Sequence, residues 1–175
     1  MIPEPRKVLH QELRIEKDTK IITTRYLEKR TKMKKEKVVI VSGYFDPLHV
    51  GHLEYLQMAS QLGDKLLVIV NNDEQAKLKK GESFMNERDR MEILFALECV
   101  DEVLISCDKD ASVCKSLELA AQFKPMAHLI FAKGGDRHFG EVPEVDTCKK
   151  LGIEMIGNLG EKIRSSSEYT GLKQI

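Results

Sequence analysis

The chain has 175 residues, a length typical of one compact domain, and its 28 basic side chains equal its 28 acidic ones in number. This balance offers no argument for nucleic acid as a partner. The charge is unevenly spread, because residues 1–37 carry a net charge of +6 and the remainder carries −6. We therefore expect a basic N-terminal extension over residues 1–37 and a folded domain over residues 38–175.

The cysteines and the hydropathy pattern indicate a cytoplasmic protein. Neither a CxxC pair nor the spacing of a zinc site links Cys99, Cys107, Cys114 and Cys148, so we expect reduced thiols. No run of about 18 apolar residues predicts a membrane span. The N-terminus also lacks the apolar core of a signal sequence.

Strand and helix patterns alternate from residue 38 onward. Short β-branched runs such as KVVIVSG and DKLLVIVNN predict strands that are buried on both faces, and DEVLIS, MAHLIFAKGGD and IEMIGN continue the series. Helical spacing marks the segments HLEYLQMASQLG, ERDRMEILFALECV, DASVCKSLELAAQF and PEVDTCKKLG, the third of them capped by Ser112 or Asp110. This order predicts a single α/β domain in which helices cover both faces of a five-stranded parallel sheet.

The stretch SGYFDPLHVGH follows the first predicted strand and contains the most unusual pattern. Gly43 allows a sharp turn or a close approach to a ligand, and Asp46 suits a turn into a helix. His49 and His52 are three residues apart, which places them on one face of a first helical turn. The free N–H groups and positive dipole end of that turn favour a site for a phosphate chain. The alternatives are a metal site, for which a third ligand is not evident, and two incidental helix-start histidines.

The motif GYFDPLHVGH resembles the signature of the HxGH nucleotidylyltransferase superfamily, in its cytidylyltransferase-like branch. LGDKLLVIVNNDE, LKKGES, RMEILFALECVDEV and AKGGDR extend the resemblance from about Lys37 to about Ser167. That branch contains glycerol-phosphate cytidylyltransferases and heptose-phosphate adenylyltransferases. The resemblance implies a Rossmann-like fold. It also implies transfer of a nucleoside monophosphate from a triphosphate to a phosphate ester, with release of pyrophosphate and without a covalent enzyme intermediate.

The resemblance further implies catalytic roles for individual residues. His49 and His52 are expected to contact the triphosphate and to stabilise charge in the transition state. Lys80, taken to lie on a loop after the second strand, matches a phosphate-binding lysine, and Arg90 is expected to reach a phosphate. Mg²⁺ should accompany the triphosphate and bridge its phosphate oxygens rather than occupy a protein cage.

Other residues are expected to bind the nucleotide. Lys77 matches a second phosphate-binding lysine, with Lys79 as a competing candidate. The remaining residues of this group lie in the motif after the first strand and line the pocket mainly through main-chain atoms: Gly43, Tyr44, Phe45 and Asp46.

Two later segments complete the expected site. In AKGGDR, Gly134 and Gly135 allow close approach to a base or sugar, Asp136 accepts hydrogen bonds from hydroxyl groups, and Lys133 binds a phosphate. An ordinary tight turn is the alternative. In KIRSSS, hydroxyl and N–H groups contact the β- or γ-phosphate, or only cap a helix; they belong to Ser165, Ser166 and Ser167.

We therefore expect a nucleotidylyltransferase that uses ATP rather than CTP, because KGGD is closer to the heptose-phosphate adenylyltransferases than to the GDD pattern of the glycerol-phosphate enzymes. The expected acceptor is a phosphorylated sugar or polyol. The alternatives are a CTP-dependent cytidylyltransferase acting on glycerol phosphate or a related polyol phosphate, an FMN adenylyltransferase, and a non-catalytic nucleotide-binding protein. The resemblance implies a homodimer or larger homo-oligomer, and neither nucleic acid nor a membrane is an expected partner.

Overall fold

The structure, a computed structural model, describes residues 35–134, 142–159 and 170. Within these ranges the strands are β1 (Lys37–Gly43), β2 (Lys65–Val70), β3 (Glu102–Ile105), β4 (His128–Gly134) and β5 (Glu154–Leu159). The helices are α1 (Val50–Ser60), α2 (Asp73–Lys80), α3 (Glu87–Phe95), α4 (Cys114–Phe123) and α5 (Glu144–Leu151).

All strand pairs are parallel, and the strands are arranged in the order β3-β2-β1-β4-β5. Val39 at the centre of β1 pairs with Leu66 of β2 on one side and with Ile130 of β4 on the other. The chain therefore builds one half of the sheet outward from β1 and then returns to start the other half at β4. In sheets of this kind, ligands bind where the order reverses, outside the carboxyl ends of the central strands.

Helices cover the sheet on both faces, which confirms the predicted α/β architecture. Because neighbouring residues of a strand face opposite sides, β1 contributes to two separate cores. The first core lies under α1 and α3 and includes Val39, Val41, Leu56 and Leu94; the second lies under α4 and α5 and includes Val38, Ile40, Leu117 and Cys148. The side chains in both of these groups are fully buried.

The predicted domain boundary lies at the start of β1. This strand begins at Lys37, one residue before the predicted start of the domain. Residues 1–34 lie outside the described residues, so the N-terminal extension stays a prediction. None of the helices in the described ranges is both long and apolar enough to cross a membrane.

Helix α2 corrects the prediction that the lysines after the second strand lie on a loop. Its sequence, DEQAKLKK, has no apolar periodicity, so hydrophobic spacing did not predict a helix here. The helix begins instead with a capping box, in which Asn72 accepts the N–H of Gln75 and the Gln75 side chain accepts the N–H of Asn72. Gly81 ends it with a φ of 85°.

The predicted caps of α4 are also wrong. The N-cap residue is Val113, and Ser112 Oγ receives only a long contact of 3.4 Å from the N–H of Cys114. The carboxylate of Asp108 accepts the N–H groups of Lys115 (2.8 Å) and Ser116 (3.0 Å). Asp108 lies six residues before the helix, so the loop geometry brings it there and local spacing does not reveal it.

Candidate active site

The loop that follows β1 is held by two buried side chains, Phe45 and Asp46. Phe45 is 2% exposed and has a φ of 49°, a backbone conformation that bulky residues rarely adopt. Its ring occupies the space beside Gly43, where an added Cβ would lie 2.9 Å from Phe45 Cζ. The Asp46 carboxylate accepts the N–H groups of Phe84 (2.9 Å) and Met85 (2.7 Å). These predicted nucleotide-binding residues therefore shape the loop itself.

His49 and His52 lie side by side at the start of α1. His49 is the N-cap residue in extended backbone, and its Nδ1 accepts the N–H of His52 at 3.4 Å. The two imidazole rings stack with their centroids 3.7 Å apart and their planes 16° from parallel. The spacing of three residues thus brings both rings to one place, as predicted, with His49 just before the helix rather than within it.

The His52 imidazole is largely buried. Phe45 meets it edge to face, with 5.1 Å between the ring centroids. His52 Nδ1 is a buried polar atom without a hydrogen-bond partner among the described residues. Burial, followed by the positive charges of His49 and Lys80, lowers the pKa of His52 to about 3. The ring is therefore neutral near pH 7. Because none of the described residues offers an acceptor to Nδ1, we assign its one proton to Nε2.

The end of α2 brings two lysines to this loop. Lys80 Nζ donates to the carbonyl oxygen of Asp46 at 2.8 Å, and burial lowers the pKa of Lys80. Lys79 Nζ lies 4.3 Å from the centroid of the Tyr44 ring, within the range of a cation–π contact. Lys77 instead forms an ion pair of 2.7 Å on an exposed surface of α2, with the glutamate three residues before it. The contacts therefore join Lys79 and Lys80, and not Lys77, to the histidine motif.

Arg90 has a different environment from the one expected for a phosphate ligand. Its side chain is fully buried, and it donates four hydrogen bonds to protein groups. Nε binds the carbonyl oxygen of Met85, one terminal nitrogen binds those of Tyr44 and Asn71, and the other binds the Asp73 carboxylate at 2.6 Å. Arg90 thus ties together the segments that follow β1 and β2 and the segment that precedes α3.

Lys133 lies on the side of the sheet opposite to the histidines. Its Nζ pairs with the Glu144 carboxylate of α5 at 3.0 Å and lies 5.4 Å from the centroid of the Phe131 ring, which belongs to the second core. The other Glu144 oxygen accepts the N–H of Val113. Both charged side chains are largely buried, at 15% and 5% exposure. These contacts give no support to the predicted phosphate role of Lys133.

Gly134 ends β4 against a side chain of α1. An added Cβ on Gly134 would lie 2.9 Å from Tyr55 Cδ2, and Tyr55 Oη donates to the carbonyl oxygen of Ala132 at 2.7 Å. Burial raises the pKa of Tyr55, so the hydroxyl keeps its proton. This contact joins the histidine helix to the start of the predicted glycine turn. The remaining predicted residues lie outside the described residues: Gly135, Asp136, Ser165, Ser166 and Ser167.

The described part of the site suits a chain of phosphate groups. Lys80 supplies a positive charge, His52 supplies an Nε2–H donor, and the start of α1 supplies free N–H groups at a positive dipole end. In the described ranges, no three His, Cys, Asp or Glu side chains group together so as to hold a metal ion. The arrangement can position a transferring phosphoryl group and stabilise its charge.

Sequence reasoning missed two residues that build the site. In the sequence pattern, Tyr55 is one more apolar position of α1. Only the folded structure shows that its hydroxyl donates to the carbonyl oxygen of Ala132 in β4. Gln75 did leave a signal, because Asn followed three residues later by Gln is typical of a capping box at a helix start. That signal would have placed Lys79 and Lys80 on a helix.

Relatives of the chain among known proteins identify its family. The model of the cytidylyltransferase-like family matches residues 40–167. The FAD synthase of Pyrococcus abyssi is 44% identical over 118 residues, which are 67% of this chain and 75% of that protein. The bifunctional protein HldE of Pelobacter propionicus is 42% identical over 107 residues, which are 60% of this chain and 20% of that protein.

Solved structures share the fold. The lipopolysaccharide core biosynthesis protein of Thermoplasma volcanium has a TM-score of 0.57 and 27% identity, over 71% of this chain and 97% of that one. A bifunctional NMN adenylyltransferase/ADP-ribose pyrophosphatase of Francisella tularensis, crystallised with AMP and a manganese ion, has a TM-score of 0.54 and 14% identity, over 79% and 43% of the two chains. The likeness to the latter concerns the fold alone. Because the family model matches residues 40–167 and the FAD synthase of Pyrococcus abyssi is 44% identical, this chain belongs to the cytidylyltransferase-like family of nucleotidyltransferases.

Proposed function

We propose that this nucleotidyltransferase transfers AMP from ATP to the phosphate group of a small phosphorylated sugar or polyol. The observation that carries the proposal is the stacked pair of His49 and His52 beside Lys80 at the start of α1, a donor set that fits a triphosphate. An oxygen of the acceptor phosphate attacks the α-phosphorus of ATP. The bond from that phosphorus to the oxygen bridging it to the β-phosphorus breaks, and pyrophosphate leaves.

In this direct displacement, the protein contributes positioning and charge stabilisation. Neutral His52 donates its Nε2–H to an oxygen of the transferring phosphoryl group. Lys80 exchanges its bond to the Asp46 carbonyl for one to a phosphate oxygen. Mg²⁺, bound to the triphosphate, neutralises part of the phosphate charge.

We place Arg90 among the positioning residues. Its four hydrogen bonds hold the loop that carries Tyr44 and the segment that leads into α2. A guanidinium engaged in this way would have to give up protein contacts before it could bind a phosphate. The contacts of Arg90 therefore favour a role in holding His49, His52 and Lys80 in register.

A second candidate acceptor is FMN. The similarity to the Pyrococcus abyssi FAD synthase covers 75% of that protein, a larger share than for HldE. FAD is FMN joined to AMP through a pyrophosphate bond, so the donor nucleotide and the bonds made and broken are those of the first proposal. The KGGD sequence, which resembles the heptose-phosphate enzymes, favours the sugar phosphate.

Pyrophosphate release by the full chain tests both proposals. The assay combines magnesium and either ATP or CTP with a heptose phosphate, glycerol 3-phosphate or FMN, and the His52→Ala variant serves as the control for contaminating activity. We expect release with ATP and the heptose phosphate that is absent from the variant. Release with FMN would replace the sugar phosphate by the flavin, and release only with CTP would overturn the choice of ATP.

A further inference from the structure

Helix α2 carries Lys79 and Lys80 to the active site, yet apolar packing does little to hold it there. Among its eight residues, Gln75 and Ala76 are the buried ones. Helices of about two turns are unstable in water when nothing else fixes them. Polar contacts must therefore set the direction of α2.

The side-chain amide of Gln75 makes the central contacts. It is fully buried, and its Nε2 donates to the carbonyl oxygens of Asp110 (2.6 Å) and Ser112 (2.7 Å). Its Oε1 accepts the Asn71 side chain and the Asn72 N–H, each at 3.0 Å. A glutamine amide offers two donors and two acceptor positions, so all of its hydrogen-bonding capacity is used.

Asn72 adds a second amide to the same contact. Its Nδ2 donates to the carbonyl oxygens of Ser106 (3.0 Å) and Asp108 (2.8 Å), while its Oδ1 accepts the N–H of Gln75 (2.9 Å). Together the two amides bind four carbonyl oxygens of the segment between β3 and α4. We call this set of contacts from Asn72 and Gln75 to residues 106–112 the amide clasp.

The segment that the amide clasp binds is itself firmly held. The Asp108 carboxylate is 3% exposed and accepts the N–H groups of Lys115 and Ser116 at the start of α4. It also accepts the Ser116 hydroxyl at 2.5 Å. The start of α2 is therefore bound to a segment that is anchored on the second face of the sheet.

We propose that Gln75 and Asn72 are positioning residues that set the distance between the α2 lysines and the histidine pair. This positioning role rests on the proposed function, in which Lys80 binds a phosphate. Eight residues of helix span about 12 Å, so a tilt of about 10° at the clasped start moves the far end by about 2 Å. Displacements of about 1 Å in an active site can cost about 100-fold in rate.

Two variants test this inference: one removes the contacts that Gln75 makes in the amide clasp, and the other removes those that Asn72 donates. Gln75→Met keeps the length of the side chain and removes its donors and acceptors. Asn72→Asp keeps the oxygen that caps α2 and replaces the donor to residues 106 and 108 by a second oxygen. We expect each to weaken the binding of magnesium–ATP to the full chain about tenfold in titration calorimetry, with magnesium–CTP as a second titrant.

The control is Asp101→Ala. Asp101 directly precedes β3 and contacts the start of β2, whereas α2 follows the end of β2. Asp101 Oδ2 accepts the N–H of Leu66 at 2.7 Å, so its loss lowers stability without touching α2. We expect this variant to bind magnesium–ATP within about twofold of the wild type, even where its Tm falls as much as that of the clasp variants. Equal weakening in the control would overturn the inference, because general destabilisation would then explain it.

A double variant shows whether the clasp acts through Lys80. In a Lys80→Ala background, Gln75→Met should weaken binding by less than about twofold, because the group that it positions is already gone. A full additional tenfold loss would overturn the inference, and so would wild-type affinity in both clasp variants. Failure of the wild type to bind either triphosphate would instead refute the proposed function, and the inference with it.

Discussion

The lowered pKa of His52 predicts that the free energy of unfolding decreases in acid. This pKa is about 3 in the folded protein, whereas a histidine in an unfolded chain titrates near 6.5. Below about pH 6.5, the unfolded chain therefore binds a proton that the folded protein does not. The free energy of unfolding must then decrease as the pH falls from 6.5 towards 3, and above 6.5 the contribution of His52 is constant.

The size of this loss follows from the two pKa values. Between about pH 7.5 and 5.5, His52 stays neutral in the folded protein, while the unfolded chain passes from about one-tenth to about nine-tenths protonated at this position. Integration over this interval gives a loss of about 1.4 kcal/mol. For a chain of this length, that loss lowers Tm by about 3–6 °C.

Urea unfolding of the wild type and of His52→Gln at the two pH values measures the effect. Glutamine takes up no proton, so the variant should lack about 1.4 kcal/mol of the pH dependence seen in the wild type. The other titrating groups contribute to both proteins and cancel in the comparison. The same pH dependence in the two proteins would refute the reasoning.

Three further predictions concern single side chains. His52→Ala should lower kcat by about 10²–10³ in a folded protein, because a donor to the transition state is lost; near-normal turnover would contradict that role. Lys80→Ala should weaken ATP binding about tenfold, the loss of one charge-assisted hydrogen bond, whereas Lys77→Ala should match the wild type in titration calorimetry. Arg90→Met should cost about 3–5 kcal/mol in chemical denaturation, since three carbonyl oxygens and the Asp73 carboxylate lose the donor that binds them; a cost below about 1 kcal/mol would show that Arg90 does not hold the loops.

Features that depend on local pattern were predicted correctly. The apolar runs of β1 and β2 marked buried strands because a parallel sheet covered on both faces needs apolar side chains in both directions. The spacing of His49 and His52 likewise predicted their proximity, which the 3.7 Å between ring centroids confirms. These inferences needed only neighbours along one element.

Features that depend on contacts between distant segments were not predicted. Helix α2 has no apolar face, and the amide clasp binds its start, so a search for hydrophobic periodicity could not find it. Asp108 caps α4 from six residues away because the loop after β3 folds back on the helix. The contacts of Arg90 reach residues that lie between 5 and 46 positions earlier in the chain, and an arginine in a helix sequence does not reveal them.

The packing of Tyr55 against Gly134 has an evolutionary consequence. A Cβ at position 134 would lie within 2.9 Å of the Tyr55 ring, so any larger residue at 134 and a tyrosine at 55 exclude each other. Homologues with alanine at position 134 should carry a residue smaller than tyrosine at position 55. They would also lose the hydrogen bond from the Tyr55 hydroxyl to the carbonyl oxygen of Ala132. Positions 55 and 134, which are 79 residues apart in the chain, should therefore change together. Co-variation of these two positions in an alignment of homologues would reveal the contact from sequence alone.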